Sequence, residues 1–180
     1  MPVMILSTAP FMSDSCQLIF ARTKIVPADL STPQVEIMAA TLNAVTGHMM
    51  LLSLGDRLVR SWKVTDSQVV LHWIGSFRAA LKIWVRNRVI EINRLTDLAR
   101  WFYVEGKNNP SHISTHKGVQ VSDVGSESVW ICGHDWMKWP EGKFPLKTVD
   151  ELILSATELD HSTTVLGLEF HVILALPCTC

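Results

Sequence analysis

Two acidic residues stand where the sequence passes from one predicted element to the next. Glu36 lies in the first turns of a long amphipathic stretch, and Asp66 directly follows a β-branched pair and precedes an apolar run with helical spacing. Ligand and metal sites of α/β sheets gather at the carboxyl ends of strands, and carboxylate oxygens are the ligands that Mg²⁺ prefers. Each residue also has a structural interpretation. Asp66 suits the cap of the following helix, and Glu36 suits the positive end of its own helix.

The elements that must position these carboxylates alternate between strand and helix. Three segments have the composition and alternation of strands: Gln17–Val26, Arg60–Thr65 and Trp101–Val104. Three others have helical periodicity: a long helix from Ser31 or Thr32 to about Leu54, a short one over Ser67–Ile74, and a second long one from Leu81 to Leu95. This alternation predicts an α/β layered domain with some parallel strand pairing.

Composition and charge restrict the class of protein. The 180 residues are 48% hydrophobic, which is enough for a real core, and the net charge of −1 gives the whole chain no bulk affinity for nucleic acid. The charge is unevenly distributed, however. Residues 57–107 hold ten Lys/Arg against four Asp/Glu, a difference of +6, and the chain after Gly118 holds three Lys against nine acids, a difference of −6. This uneven distribution therefore leaves a polyanion as one option for the binding partner.

The cysteines and the apolar runs point to a reduced, intracellular environment. The four cysteines do not form a disulfide framework, so no disulfide partner is expected, and the N-terminus lacks a basic region of the secretory type. The apolar run Val165–Pro177 is too short and too charged to cross a bilayer. We expect a soluble intracellular protein that does not enter a membrane. The sequence gives neither the compartment nor the oligomeric state.

Five segments occur in an order that is informative. They read PQVEIMAATLNA, KVTDSQVVLHWI, WVRNRVIEINRLT, WFYVEGKNNPSHISTHKG and SVWICGHDWMKWP. Together they closely resemble the ribonuclease H-like region of BEL/Pao-type retrotransposon polyproteins, whose patterns run PRLELCAA, WTDSxxVLxWI, FVxNRVxEIxxLT, WxHVxGxxNPADLASRG and WWxGPxWL. The resemblance covers roughly Leu18 to Trp139.

The resemblance implies a ribonuclease H-like mixed sheet flanked by helices, and three parts of the chain. These are a truncated ribonuclease H-like domain over residues 1–118, a Trp-rich extension over 119–147 and a C-terminal tail of unknown structure over 148–180. In that family four acidic positions hold two Mg²⁺ ions, which cleave the RNA strand of an RNA–DNA hybrid. Glu36 and Asp66 match two of these metal-binding, catalytic positions, and Asn109 matches the asparagine of the late NP pair.

Two departures from the family pattern concern catalysis. His112 stands where the family has its last carboxylate, and histidine is a poorer Mg²⁺ ligand. The first catalytic aspartate should lie on a strand upstream of Gln17, but Asp14 is the sole acid there and precedes Glu36 by only 22 residues. We therefore expect the sheet to lack its first strand. Glu36, Asp66 and His112 remain the candidate catalytic residues.

Several basic and polar side chains of the middle region are candidate contacts for a nucleic acid, with a solvated helix face as the structural interpretation. They are Arg78, Lys82, Arg86, Arg88, Lys107 and Asn109.

The sequence leaves more than one function open. The first is a retroelement remnant that binds nucleic acid and has lost catalysis. The alternative is an active two-metal endonuclease, for which an upstream segment would supply the missing aspartate. A module for protein–protein contact is a third. A zinc site from His112, His116, Cys132 and His134 is a weaker option, because His112 and His116 fall where the family has an Asp and an Arg.

Overall fold

A mixed five-stranded sheet forms the centre of the protein. The computed structural model describes residues 3–7, 16–25, 27, 29–55, 60–76, 80–115, 120–155 and 169–177. The strands are β1 (Val3–Ser7), β2 (Cys16–Ile25), β3 (Arg60–Thr65), β4 (Trp101–Tyr103) and β5 (Glu169–Pro177). Their order across the sheet is β2-β5-β1-β3-β4. The pairs β3–β4 and β1–β5 are parallel, and the pairs β1–β3 and β2–β5 are antiparallel. The predicted α/β class with some parallel pairing is therefore confirmed.

Helices α1 (Thr32–Leu54), α2 (Gln68–Gly75) and α3 (Ile83–Leu95) lie close to the ranges predicted from periodicity. Short helices α4 (Val129–Cys132) and α5 (Val149–Ser155) follow, joined by several 3₁₀ turns. The Oε1 atom of Gln34 accepts hydrogen bonds from both the N–H and the hydroxyl of Ser31 at 2.9 Å, which fixes the start of α1. Gly55 ends α1 with a φ of +51°, a conformation that residues with a Cβ rarely adopt.

The N-terminal strand differs from the sequence prediction. We expected no strand before Gln17, yet β1 lies in the middle of the sheet between β5 and β3. It has five residues, VMILS, and none of them is acidic. Such a short apolar run is consistent with a buried strand, but periodicity alone does not distinguish it from a segment of a buried helix.

The sheet carries a core on each face, because side chains alternate along β4. Trp101 belongs to the first core, which gathers the buried sides of α1, α2, α3 and α5. Phe102 and Val104 belong to the second core, which Trp136 and Phe144 complete from the Trp-rich region. The rings of Trp136 and Phe144 meet edge to face at 5.4 Å between centroids.

Residues from all three predicted parts of the chain enter these cores or the sheet. Trp136 and Met137 of the Trp-rich extension are buried in the second core, and Val149 and Leu152 of the C-terminal part are buried in the first. Strand β5 pairs with β1 and β2. The boundaries at residues 118 and 147 stay predictions.

Helix α1 is the one helix of the described ranges that is long and apolar enough to cross a membrane, with a mean hydropathy of 1.4. Its buried residues, which include Ile37, Ala40 and Ala44, pack in the first core together with α2 and α3. A core helix of a globular protein has these same properties.

A lysine lies inside the sheet. Lys63 is 2% exposed on β3, on the face opposite to Trp62 and Val64. Burial lowers the pKa of Lys63 to about 8, and the nearby positive charge of Arg100 acts in the same direction. The charged form of Lys63 is therefore destabilising at neutral pH.

Replacement of this lysine should stabilise the fold in a pH-dependent manner. Lys63→Met removes a buried ammonium, so we expect a higher free energy of unfolding at pH 7, by roughly 3 kcal/mol at most. The pKa of Lys63 is lower in the folded state than in the unfolded state. The wild type therefore regains the lost free energy of unfolding as pH rises from about 8 to 10.5. Urea unfolding at pH 7 and pH 10 measures the difference, with exposed Lys143→Met as the control. An advantage of Lys63→Met that is equal at both pH values would contradict this account.

Candidate functional site at the carboxyl ends of strands β3 and β4

Asp66 directly follows the last residue of β3, and the parallel strand β4 ends beside it. The N–H of Val104 donates to the carbonyl of Thr65 at 3.0 Å, so the chain beyond β4 leaves the sheet at the same edge as Asp66. The side chain of Asp66 is 13% exposed. This edge is where α/β sheets build their ligand sites.

The helix cap beside Asp66 is a different residue. Ser67 is the N-cap of α2, and its Oγ accepts a hydrogen bond from the N–H of Val70 at 3.3 Å. The capping interpretation of Asp66 was therefore wrong by one residue. A serine hydroxyl reaches the free N–H groups of the first turn as well as a carboxylate does.

Glu36 reaches this edge of the sheet from α1. The hydroxyl of Ser67 donates to Oε2 of Glu36 at 2.5 Å. Burial raises the pKa of Glu36, the hydrogen bond from Ser67 opposes that rise, and the negative charge of Asp66 adds to it. The two carboxylates are thus close enough to interact, and Ser67 lies between α1 and α2 as donor to one and acceptor from the other.

His112 approaches Asp66 from the loop that follows β4. Its Nδ1 lies 3.7 Å from Oδ2 of Asp66, and 45% of its side chain is exposed. The loop also brings Gly106 to the site, where a Cβ would lie 3.8 Å from the same Asp66 oxygen. When protonated, His112 would place a positive charge beside Asp66.

Asn109 holds the loop instead of facing solvent. Its side chain is buried at 2% exposure, and its Oδ1 accepts from the N–H and the hydroxyl of Ser111 at 3.2 and 2.8 Å. Its carbonyl accepts from the N–H of His112 at 3.0 Å. In this position Asn109 orients His112, so a direct contact of its side chain with nucleic acid would need the loop to open.

The candidate nucleic-acid contacts do not form one basic face. At 100° per residue, Arg86 and Arg88 lie 160° apart around α3. Arg88 donates to the carbonyl of Trp84 at 2.8 Å and stacks on its ring at 3.2 Å, whereas Lys107 pairs with Glu105 at 2.7 Å. Lys82 is exposed at the start of α3. Arg78 lies outside the described residues.

The donor set does not fit the two-ion site that the resemblance implies. A pair of Mg²⁺ ions needs several carboxylates that bridge and flank them, and this edge offers Glu36, Asp66, an imidazole and a serine hydroxyl. In the part of the chain that the structure describes, three or more His, Cys, Asp or Glu side chains do not group closely enough to hold a metal ion. The described residues of the proposed zinc set likewise form no metal-binding group. His116, the remaining member of that set, lies outside the described residues. Cys132 donates through its Sγ to the carbonyl of Ser126 at 3.2 Å.

Two residues that position the site were not predicted from the sequence. Ser67 was placed inside the short helix and not recognised as the partner of Glu36, although a serine directly before a helix is the usual sign of a cap. Trp136 donates through Nε1 to the carbonyl of Asn108 at 3.0 Å, and so ties the Trp-rich region to the loop of His112. No local sequence signal identifies this second contact.

Comparison with known proteins does not identify a family for this chain. No protein-family model matches the chain, and neither the curated proteins nor the solved structures contain a match for it.

Removal of the Ser67 hydroxyl should lower the stability of the fold and change the titration of Glu36. Ser67→Ala loses the cap of α2 and the donor to Glu36, so we expect the free energy of unfolding to fall by about 2 kcal/mol. Because that donor favours the ionised form, the pKa of Glu36 should rise further in the variant. Urea unfolding and an NMR titration of the side-chain carboxyl carbons measure the two effects.

Ser53→Ala is the matched control, since the exposed Ser53 hydroxyl only donates to the carbonyl of Met49 within α1. A surface change of this kind should alter stability by about 0.5 kcal/mol or less. Equal losses in both variants, with an unchanged Glu36 titration, would contradict the role of Ser67.

Proposed function

We propose that the chain is a retrotransposon-derived ribonuclease H-like domain that binds nucleic acid, an RNA–DNA hybrid in particular, and is impaired in cleavage. The observation that carries the proposal is the convergence of Glu36, Asp66 and His112 at one edge of the sheet. These residues come from three segments, 30 and 46 positions apart, and each stands at a motif position of the family that the sequence resembles.

Two features support the loss of cleavage. The strand that lies beside β3, Val3–Ser7, carries no carboxylate that would complete the acidic set. His112 stands at the position of the last carboxylate, and its ring lies against Asp66. Imidazole nitrogen is a weaker ligand than carboxylate for Mg²⁺, which takes hard oxygen donors.

Charge supports the retained affinity for nucleic acid. The middle of the chain has an excess of six positive charges. Within the residues that the structure describes, neither Lys82 nor Arg86, on one flank of α3, forms an ion pair with a carboxylate, in contrast to Lys107 and Arg94, which pair with Glu105 and Glu91. Unpaired cations can neutralise phosphates and release counterions.

Binding should therefore weaken steeply with salt. We expect the logarithm of the association constant for a labelled RNA–DNA hybrid to fall linearly with the logarithm of salt concentration between about 50 and 200 mM. Lys82→Gln with Arg86→Gln should reduce that slope by about 1.8, since each duplex contact contributes about 0.9. Fluorescence anisotropy measures both, with Lys138→Gln and Lys143→Gln as a control of equal charge. Salt-insensitive binding, or none, would overturn the proposal.

Cleavage of the same hybrid decides between the proposal and the active-enzyme alternative. With Mg²⁺ or Mn²⁺ present, we expect wild type and Asp66→Asn to leave the RNA strand equally intact over hours, because the donor set is incomplete. Cleavage by wild type that Asp66→Asn abolishes would instead favour a two-metal endonuclease.

A further inference from the structure

A groove of about 410 Å³ lies on the other side of α1 from the carboxylates. We call it the β2–α3 groove; edge strand β2, helix α1 and helix α3 line it. Its α1 residues include Leu42 and Val45, and Val45 lies 180° around the helix from Glu36 at 100° per residue. The groove is therefore a separate surface from the Asp66 edge.

Three cations from two elements converge on this groove. Arg22 and Lys24 project from β2 two residues apart, and Arg88 enters from α3. Neither Arg22 nor Lys24 belongs to the basic set that the sequence singled out. Cations gathered from separate elements in one concave surface raise the local concentration of an anion.

A β-bulge directs the two β2 cations into the groove. Leu18 pairs with Ala175 and Phe20 with Leu174, so Ile19 is an extra residue in the β2–β5 ladder. Leu18 packs in the second core, on the sheet face that does not carry α1. Arg22 and Lys24 have the same parity as Leu18, yet they line a groove with α1, because the bulge shifts the alternation by one.

Arg88 is held in a fixed orientation. Its guanidinium stacks on the Trp84 ring at 3.2 Å, and its Nη1 donates to the Trp84 carbonyl at 2.8 Å. A guanidinium that is already oriented loses less side-chain entropy when it binds a phosphate.

The groove contains one carboxylate, and that carboxylate is already neutralised. Both oxygens of Glu91 accept from Arg94, at 3.0 and 2.8 Å. The three cations of the groove therefore keep their attraction for an external anion.

We propose that the β2–α3 groove binds an unpaired nucleic-acid strand, with Arg22, Lys24 and Arg88 on its phosphates and the half-buried Leu42 and Val45 against a sugar or base. The inference rests on the proposed function and adds a site for a single strand. The volume is at the lower end of the roughly 300–1,000 Å³ of ligand pockets, which suits one nucleotide unit of an extended strand. A bulky duplex would contact only the rim. Single-strand sites combine such a basic groove with flat apolar contacts.

The test compares the full-length wild type with Arg22→Gln/Lys24→Gln. Both side chains are exposed, so the double variant should fold, which a thermal melt followed by circular dichroism checks. We expect its affinity for a labelled oligothymidylate or oligouridylate to fall about tenfold, and its salt slope to drop by about 1.4, since each single-strand contact contributes about 0.7. Affinity for the RNA–DNA hybrid should change less than about twofold. Lys138→Gln/Lys143→Gln removes equal charge from the opposite sheet face and should leave single-strand binding unchanged.

Several outcomes overturn the inference, and they differ from failure of the proposed function. An unchanged single-strand affinity in Arg22→Gln/Lys24→Gln, or an equal loss for single strand and hybrid, removes the groove as a single-strand site while hybrid binding by the wild type stands. Competition by polyglutamate as strong as by the oligonucleotide would show a general polyanion surface instead. Absence of hybrid binding by the wild type would overturn the proposed function itself.

Discussion

The parallel pairing of β3 with β4 is the constraint on which the candidate site depends. Because both strands run in the same direction, Asp66 and the loop of His112 leave the sheet at one edge, although 46 residues separate them. The Ser67 hydroxyl then connects α1 to that edge through Glu36. Three segments meet there through one register and one hydroxyl, so a shift of β4 by one residue would displace the loop of His112 from Asp66.

The two faces of the sheet serve different purposes. The helical face buries the first core and carries both the Glu36 contact and the β2–α3 groove. The other face is covered by aromatic residues of the Trp-rich region, and Trp136 bonds from there to the loop before His112. The Trp-rich region therefore does more than cover apolar surface, because it holds the loop that presents His112 to Asp66.

Local elements were predictable from the sequence because their signals are local. The helix Thr32–Leu54 has a serine cap, a proline in its first turn, a high apolar content and a terminal glycine, all within reach of a pattern argument. The meeting of Glu36 with Asp66 was inferred only through the resemblance, and the structure brings the two carboxylates together. Long-range features were missed. The pairing of β1 with β5 joins residues about 170 positions apart, the bulge at Ile19 depends on a partner strand, and the Ser67–Glu36 bond depends on how α1 crosses the sheet.

The protein itself offsets the repulsion within the carboxylate pair Glu36 and Asp66. Two neighbouring carboxylates repel each other, and a bound cation normally offsets that repulsion. Here three protein features reduce it. Burial raises the pKa of Glu36 and so favours the neutral form, which does not repel Asp66. The hydrogen bond from Ser67 stabilises the ionised form of Glu36, and a protonated His112 would place a positive charge 3.7 Å from Asp66. A carboxylate at position 112 would add to the repulsion at Asp66, whereas a protonated histidine reduces that repulsion. A histidine at position 112, in place of a further carboxylate, therefore makes the neighbouring carboxylate pair less costly to fold.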